Sequence, residues 1–337
     1  MKLTLTEFNQ ITTGAVRIEE EKGVFSFRRF TKEQEELYRT TKDDFYDQTF
    51  STSGIKFRFR TDSKNLYLKI NTAFASLRKY FSVDVLVNNS PIGYIDNFSN
   101  VKLERDYTTQ NFPDGEYEKA FDLGCGTKEV YIHLPWSVDT KIKEISLDDG
   151  AFIEGIKPNK KLLCFGDSIT HGYDALRPSN RYASKLAEKL NAEEFNKGIG
   201  GERFFPPLSE LKEPFVPDYI TVAYGTNDWR GSDEETFKIK CREFYKNISN
   251  NYPNSIIFAI SPIWRKDNTD KSLFGPFENV EKYIKEIVSE YKNIVFVPGF
   301  DFVPKDITYF ADLRLHPNDE GFVYYTESLY NGIKAYI

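Results

Sequence analysis

A chain of 337 residues, 40% hydrophobic and 16% aromatic, is long enough for two domains of ordinary size, each burying a core. No run approaches the ~18 consecutive apolar residues of a membrane span, which excludes a helical anchor. The 51 acidic against 45 basic residues leave a net charge of -6, which disfavours nucleic acid and anionic membrane as partners, and a small molecule fits that surface better.

The opening Met1 to Asn9 turns polar and acidic before a hydrophobic segment develops, so no secretory signal is expected and the expected location is cytoplasmic. From there to about residue 150 the pattern is β. Runs at 23–27, 55–60, 66–70, 82–87 and 129–134 are rich in β-branched and aromatic residues, and several alternate apolar with polar. Turn residues separate them, among them Asn88-Asn89-Ser90-Pro91 and Pro113-Asp114-Gly115. Short strands at this spacing predict an antiparallel sandwich of jelly-roll type, although an irregular β domain with no ligand of its own fits the same pattern. One more strand is expected at 142–147. The polar stretch that follows, with Asp148-Asp149-Gly150 and Lys157-Pro158-Asn159-Lys160, changes the period, so the boundary is expected near residue 155, between a β-sandwich over 1–155 and a second domain over 156–337.

Beyond Lys161 apolar runs alternate with helical patterns, the sequence form of a mostly parallel sheet covered by helices on both faces. The runs begin at Leu162, Glu194, Tyr219, Ile256 and Ile294. A helix is expected from Arg181 to Leu190. Phe237, Cys241, Phe244 and Ile248 mark a second, Val280, Ile284, Ile287 and Tyr291 a third, and Phe322, Tyr325, Leu329, Ile333 and Tyr336 the last. Right-handed crossovers then give a three-layer α/β/α domain of flavodoxin-like strand order 2-1-3-4-5.

Three of these strands end in residues with chemical function: Gly166-Asp167-Ser168, Asn196 to Gly201, and Gly225-Thr226-Asn227-Asp228. The C-terminal ends of parallel strands converge on one crevice, so blocks dispersed in sequence meet in space. A fourth block, Ala311 to Gly321, precedes the last helix and brings His316, one of only three histidines. Of the others, His133 belongs to the β half, and His171, three residues after Ser168 on the same segment, reads as a structural or rim residue in preference to the base. Acyl transfer needs a nucleophile, a base of pKa near 7, a group that orients the base, and donors aimed at the developing oxyanion. Ser168 and His316 fill the first two roles and Asp312 is the natural orienter. The amides of Ser168 and Gly201 and the side chain of Asn227 fill the oxyanion hole. Taken singly, each block also reads as an ordinary turn or helix cap; their order and their places at strand ends give them joint meaning.

These four blocks resemble those of the SGNH hydrolases, the GDSL esterase and lipase superfamily, over roughly residues 160 to 337. The resemblance implies Ser168 as nucleophile, Gly201 and Asn227 as oxyanion donors and His316 as base. One departure stands out: the family's usual Asp-x-x-His becomes a spacing of four, with Leu313, Arg314 and Leu315 between Asp312 and His316. A backbone carbonyl could orient the imidazole in its place, as in relatives that work with a Ser-His dyad.

Competing chemistry is weakly signalled. Gly198-Ile199-Gly200-Gly201 lacks the third glycine of a dinucleotide fingerprint, no P-loop is present, and neither HExxH nor paired cysteines point to a metal, so no cofactor and no metal are expected. Cys125, Cys164 and Cys241 are widely spaced and read as free thiols. Trp229 and Trp264 follow the third and fourth strands and are candidate stacking surfaces for a sugar, a role that packing aromatics mimic. A β-sandwich ahead of an SGNH domain resembles two-domain carbohydrate esterases, which implies a serine esterase removing O-acetyl groups from a carbohydrate or oligosaccharide ester. A lipase or thioesterase for longer acyl chains, and a carbohydrate-binding protein with a vestigial hydrolase domain, are the competing expectations.

Overall fold

The computed structural model describes residues 1–104 and 106–337. The first half is not purely β. It opens with helix α1 (Leu5–Ile11), then strands β1 (Thr12–Thr13), β2 (Arg17–Glu21) and β3 (Val24–Arg28), then helices α2 (Lys32–Thr41) and α3 (Asp43–Tyr46). The sequence does carry the signal for α2: Thr31 and Gln34 form a reciprocal capping box that satisfies the first free amides of the helix. The strands β4 (Lys56–Thr61), β5 (Asn65–Phe74), β6 (Ser82–Val87), β7 (Ser90–Asp96), β8 (Gly115–Asp122), β9 (Lys128–His133), β10 (Val138–Leu147) and β11 (Glu154–Gly155) complete this half.

They form two antiparallel sheets, one ordered β1-β4-β9-β6-β7 with β11 added on β4, the other β2-β3-β10-β5-β8. Alternation sets the register: Leu66, Leu68 and Ile70 of β5 point into the space between the sheets. On β10 the inward residues change phase, from Val138, Thr140 and Ile142 to Ile145 and Leu147. A bulge between Ile142 and Glu144 inserts the extra residue that keeps both groups on the core side.

The second half is a five-stranded parallel sheet ordered β13-β12-β14-β15-β16, from β12 (Lys160–Gly166), β13 (Ala192–Asn196), β14 (Tyr219–Ala223), β15 (Ile256–Ile260) and β16 (Ile294–Val297). This is the expected 2-1-3-4-5 order. The central run of β12 is apolar throughout because both its faces are covered. Leu162 and Cys164 pack towards α5 (Tyr182–Lys189) and α10 (Asp319–Ile333), whereas Leu163 and Phe165 pack towards α8 (Glu234–Asn251) and α9 (Glu278–Val288).

The sheets change hands between residues 155 and 160, but the cores do not divide there. Phe30 and Tyr38 belong to the core under α8 and α9, and Tyr80, Phe98, Tyr107, Phe112 and Trp136 belong to the one under α5 and α10. Burying side chains of this size stabilises the joint by roughly 2–3 kcal/mol apiece. No helix among the described residues is long and apolar enough to cross a membrane.

Candidate active site

At the end of β12, Asp167 caps a one-turn helix α4 (Ser168–His171), its Oδ1 accepting the Ile169 amide at 3.0 Å, and so presents Ser168 at the sheet edge. The segment after β13 continues along the same edge, the Lys197 and Ile199 amides donating to the carbonyls of Cys164 and Gly166. Here α4 lies so close that a Cβ on Gly198 would fall 2.3 Å from the His171 amide nitrogen. Gly201 then turns its backbone to a φ of +82°, and no protein acceptor among the described residues engages its N–H. Beyond a short helix α6 (Pro206–Glu210) and strand β14, helix α7 (Thr226–Gly231) carries Asn227, whose Nδ2 donates to the Glu202 carbonyl at 3.0 Å. One of its two hydrogens is thereby fixed and the other remains available. The neighbouring Asp228 is buried and accepts the Phe204 amide, so the two loops are tied together beside the cleft.

The loop before α10 closes on itself through the Ala311 amide and the His316 carbonyl, 2.9 Å apart. Within it the Asp312 Oδ1 accepts the amides of Arg314, Leu315 and His316, and its Oδ2 lies 2.8 Å from His316 Nδ1. Leu313 accommodates the extra residue of this loop in the left-handed region, at φ +55°. On the far side of the ring, His316 Nε2 is 2.8 Å from Ser168 Oγ. The distances suit an Nδ1–H that donates to the carboxylate and an Nε2 that accepts the serine proton. Burial alone would lower the His316 pKa, but neighbouring carboxylates outweigh it and lift it to about 9. Asp312, although burial opposes it, is held below the usual carboxylate range by the imidazole and the loop amides.

A second carboxylate faces the same nitrogen: Asp174 Oδ2 is 3.2 Å from His316 Nδ1. Sequence reasoning missed it, and missed the groups from the first half that hold the site. Arg78 and Tyr80 bond the Asp174 carboxylate. Arg29, 1% exposed, donates to the carbonyls of Gln48, Ser51, Asn196 and Gly198 and to the Ser51 hydroxyl. Gln48 both accepts the Gly200 amide and donates to its carbonyl. Tyr38 of α2 donates to the buried Glu202 carboxylate. The loop that carries Gly201 is thus held from the N-terminal half. The one usable signal was the capping box at Thr31, which marks a helix where strands were expected.

Ser168, His316, Gly201 and Asn227 open onto one cleft of about 560 Å³, walled on the other side by Phe45, Gln48, Phe74 and Leu77. The two tryptophans are not there. Trp229 is 0% exposed, its indole donating to the Gly275 carbonyl and its ring lying beneath the guanidinium groups of Arg230 and Arg265, so no ligand can stack on it. Trp264 is half-buried against Phe310 and outside the cleft lining. The aromatic rings that do line the cleft are Phe45, Phe74 and Tyr173. His171 is buried with its Nε2 near Ser51 Oγ and the Trp136 carbonyl, and burial keeps it neutral. Among the described residues Asp174, Asp312 and His316 bring three ligand atoms of the kind a metal takes within 4.8 Å of one another, yet each residue is already engaged, with Ser168, with Arg78 or with backbone amides.

Residues 164–322 match the model of the GDSL-like Lipase/Acylhydrolase family. No curated protein matches the sequence. Among solved structures, a salicylyl-acyltransferase from a tetracycline biosynthetic pathway is similar over 99% of this chain and 97% of its own, at 19% identity and a TM-score of 0.79. A structure from Bacteroides ovatus described as a GDSL-like lipase gives 19% identity over the same shares and a TM-score of 0.77. A family two carbohydrate esterase from Cellvibrio japonicus gives 15% identity over 99% and 98%, with a TM-score of 0.66. At these identities the likeness is one of fold, and it runs through both halves of the chain.

Proposed function

We propose that this chain, which carries a GDSL-like lipase/acylhydrolase domain of the SGNH type, is a serine esterase that removes short O-acyl groups, O-acetyl above all, from carbohydrate. The observation that carries this reading is the hydrogen-bonded line from Ser168 Oγ through His316 to Asp312, opening onto the same cleft as Gly201 and Asn227.

In this mechanism Ser168 Oγ attacks the ester carbonyl carbon while His316 Nε2 takes its proton. The oxyanion is received by the amides of Ser168 and Gly201 and by Asn227 Nδ2, donors already in place before the charge develops. Collapse of the intermediate expels the alcohol, which takes the proton from His316. Water, deprotonated by the same imidazole, then attacks the acyl-serine and releases the acid. The Asp312 carboxylate stabilises the imidazolium at both steps.

The carbohydrate assignment is supported by the likeness to carbohydrate esterases and by a cleft whose open wall offers Phe45 and Phe74 as flat surfaces beside polar groups. A second reading, transfer of the acyl group to an alcohol other than water, is supported by the full-length likeness to an acyltransferase. Acetate release from a panel of acetylated glycans tests the first, with Ser168→Ala as control. Partition of product between acid and a new ester in the presence of added alcohols tests the second. A series of p-nitrophenyl esters from acetate to octanoate separates both from a long-chain lipase, and turnover that survives Ser168→Ala would refute the serine mechanism altogether.

A further inference from the structure

Asp174 is a costly residue. It is not glycine, yet its backbone sits at φ +72°, a left-handed conformation that persists only when surrounding contacts over-determine it. Its carboxylate is wholly excluded from water, which is unfavourable for a charge unless partners surround it. Those partners come from the other half of the chain. Arg78 donates through Nε and Nη2 at 2.6 and 3.0 Å, and the Tyr80 hydroxyl at 2.7 Å. The Tyr107 hydroxyl takes the Asp174 carbonyl at 2.7 Å and the Trp136 indole takes the next carbonyl at 2.8 Å. A carboxylate serving only to anchor Arg78 has no reason to face an imidazole, but Oδ2 points at His316 Nδ1.

We propose that Asp174 is a second acidic partner of His316, a positioning residue that shares the Nδ1 proton with Asp312 and is locked in place by Arg78 and Tyr80 of the N-terminal half. This rests on the esterase reading above. Two carboxylates at one nitrogen repel each other, and Arg78 offsets that repulsion. When the imidazolium forms, the four charges of Asp174, Asp312, Arg78 and His316 sum to zero, whereas with neutral imidazole one negative charge is left over. The arrangement therefore favours the imidazolium that both acyl-transfer steps create. Around this set the other ionisable groups near the ring are Tyr173, whose ring packs against it, Asp167 from the β12 end, Tyr80 and Tyr107, while Arg314 of the same loop is exposed and pairs with Asp267. Burial raises the three tyrosines and Asp167, so none of them adds a positive charge that would cancel the effect, and the charge of Arg314 is met by Asp267 and by solvent.

Either carboxylate can then orient the ring when the other is lost. Asp312→Asn should cost about ten- to a hundredfold in kcat rather than the ~10⁴ seen when a lone orienting carboxylate is removed. Asp174→Asn should cost about tenfold and move the acidic limb of the pH profile down by about one unit. The double variant should lose at least tenfold more than the product of the two. Arg78→Gln, which leaves both carboxylates and removes the cation, should move the limb the opposite way. The titration of His316, followed by NMR in each variant, reads the same shifts without turnover and is tractable with three histidines in the chain. Multiplicative losses with an unmoved limb and an unmoved His316 titration would reduce Asp174 to a structural anchor and overturn the proposal. Activity that survives Ser168→Ala would sink the esterase reading, while the NMR titration would still decide on Asp174. Should Asp174→Asn fail to fold, Arg78→Gln and the wild-type titration decide it.

Discussion

Ester cleavage by this protein should accelerate well past neutral pH. In the proposed mechanism Ser168 is activated only when His316 is unprotonated, and the ring, pulled down by burial but lifted further by the two carboxylates at Nδ1, holds its proton to about pH 9 against an ordinary 6.5. Below that value kcat/KM should fall tenfold per pH unit, so that at pH 7 about 1% of the plateau rate remains. Stability runs the other way. A folded-state pKa above the unfolded one contributes stability that is fully present below pH 6.5 and is lost as pH rises through about 9. At 1.36 kcal/mol per unit the 2.5 units amount to about 3 kcal/mol, shared between the imidazole and its carboxylates. Initial rates of acetate release from pH 6 to 10, with thermal melts in the same buffers, measure both. A rate limb centred at 6.5 or below, or a melting temperature that does not fall between pH 7 and 9, would mean that the carboxylates do not act on the ring as a charged pair.

Other perturbations test the rest of the site. Asn227→Ala should lower kcat by roughly 10²–10³ with little change in KM, since its free hydrogen meets charge only in the transition state. A near wild-type kcat would remove it from the oxyanion hole. Arg29→Met should lower stability in chemical denaturation by about 1–3 kcal/mol for each carbonyl it leaves without a buried donor, those of Ser51, Asn196 and Gly198, and it should lower kcat through the displaced Gly201 loop. Loss of stability with unchanged kcat would mean that the loop holds without it. Trp229→Phe should lower the melting temperature and leave KM for an acetylated glycan unchanged, as the ring is wholly buried; a raised KM would reopen its binding role. A fragment of residues 156–337 should show no esterase activity, since it lacks Arg29, Gln48 and Arg78. A fully active fragment would make the sandwich dispensable.

The parallel sheet was legible because its strands and helices have clean periods and because strand ends must converge. Three short blocks at those ends, and a fourth on the loop before the last helix, therefore point to one cleft from the sequence alone. Trp229 and Trp264 misled for the opposite reason: adjacency in sequence to a crevice motif says nothing about which face of a short helix or loop a large ring takes, and Trp229 turned inwards beneath two arginines. Asp174 gave no sign because its importance lies in a backbone conformation unusual for its type and in partners 94 and 96 residues away. Arg29 and Gln48 are silent for the same reason. Each meets the Gly201 loop across more than 150 residues of chain, a distance at which no local pattern carries information.

The Arg29 clamp has a temporal meaning as well. Its guanidinium emerges from the ribosome 167 residues before the carbonyl of Asn196 that it must meet. At roughly 5–20 residues added per second, the arginine waits on the order of ten to thirty seconds for its partner. During that interval the nascent sandwich offers the cation only the acceptors of Gln48 and Ser51, and the loop it will hold does not yet exist. Pairings of such sequence separation are also the slow ones to form, since the closure entropy must be met before any contact rewards it. The support of the Gly201 loop by Arg29 thus waits until the second half of the chain has been made.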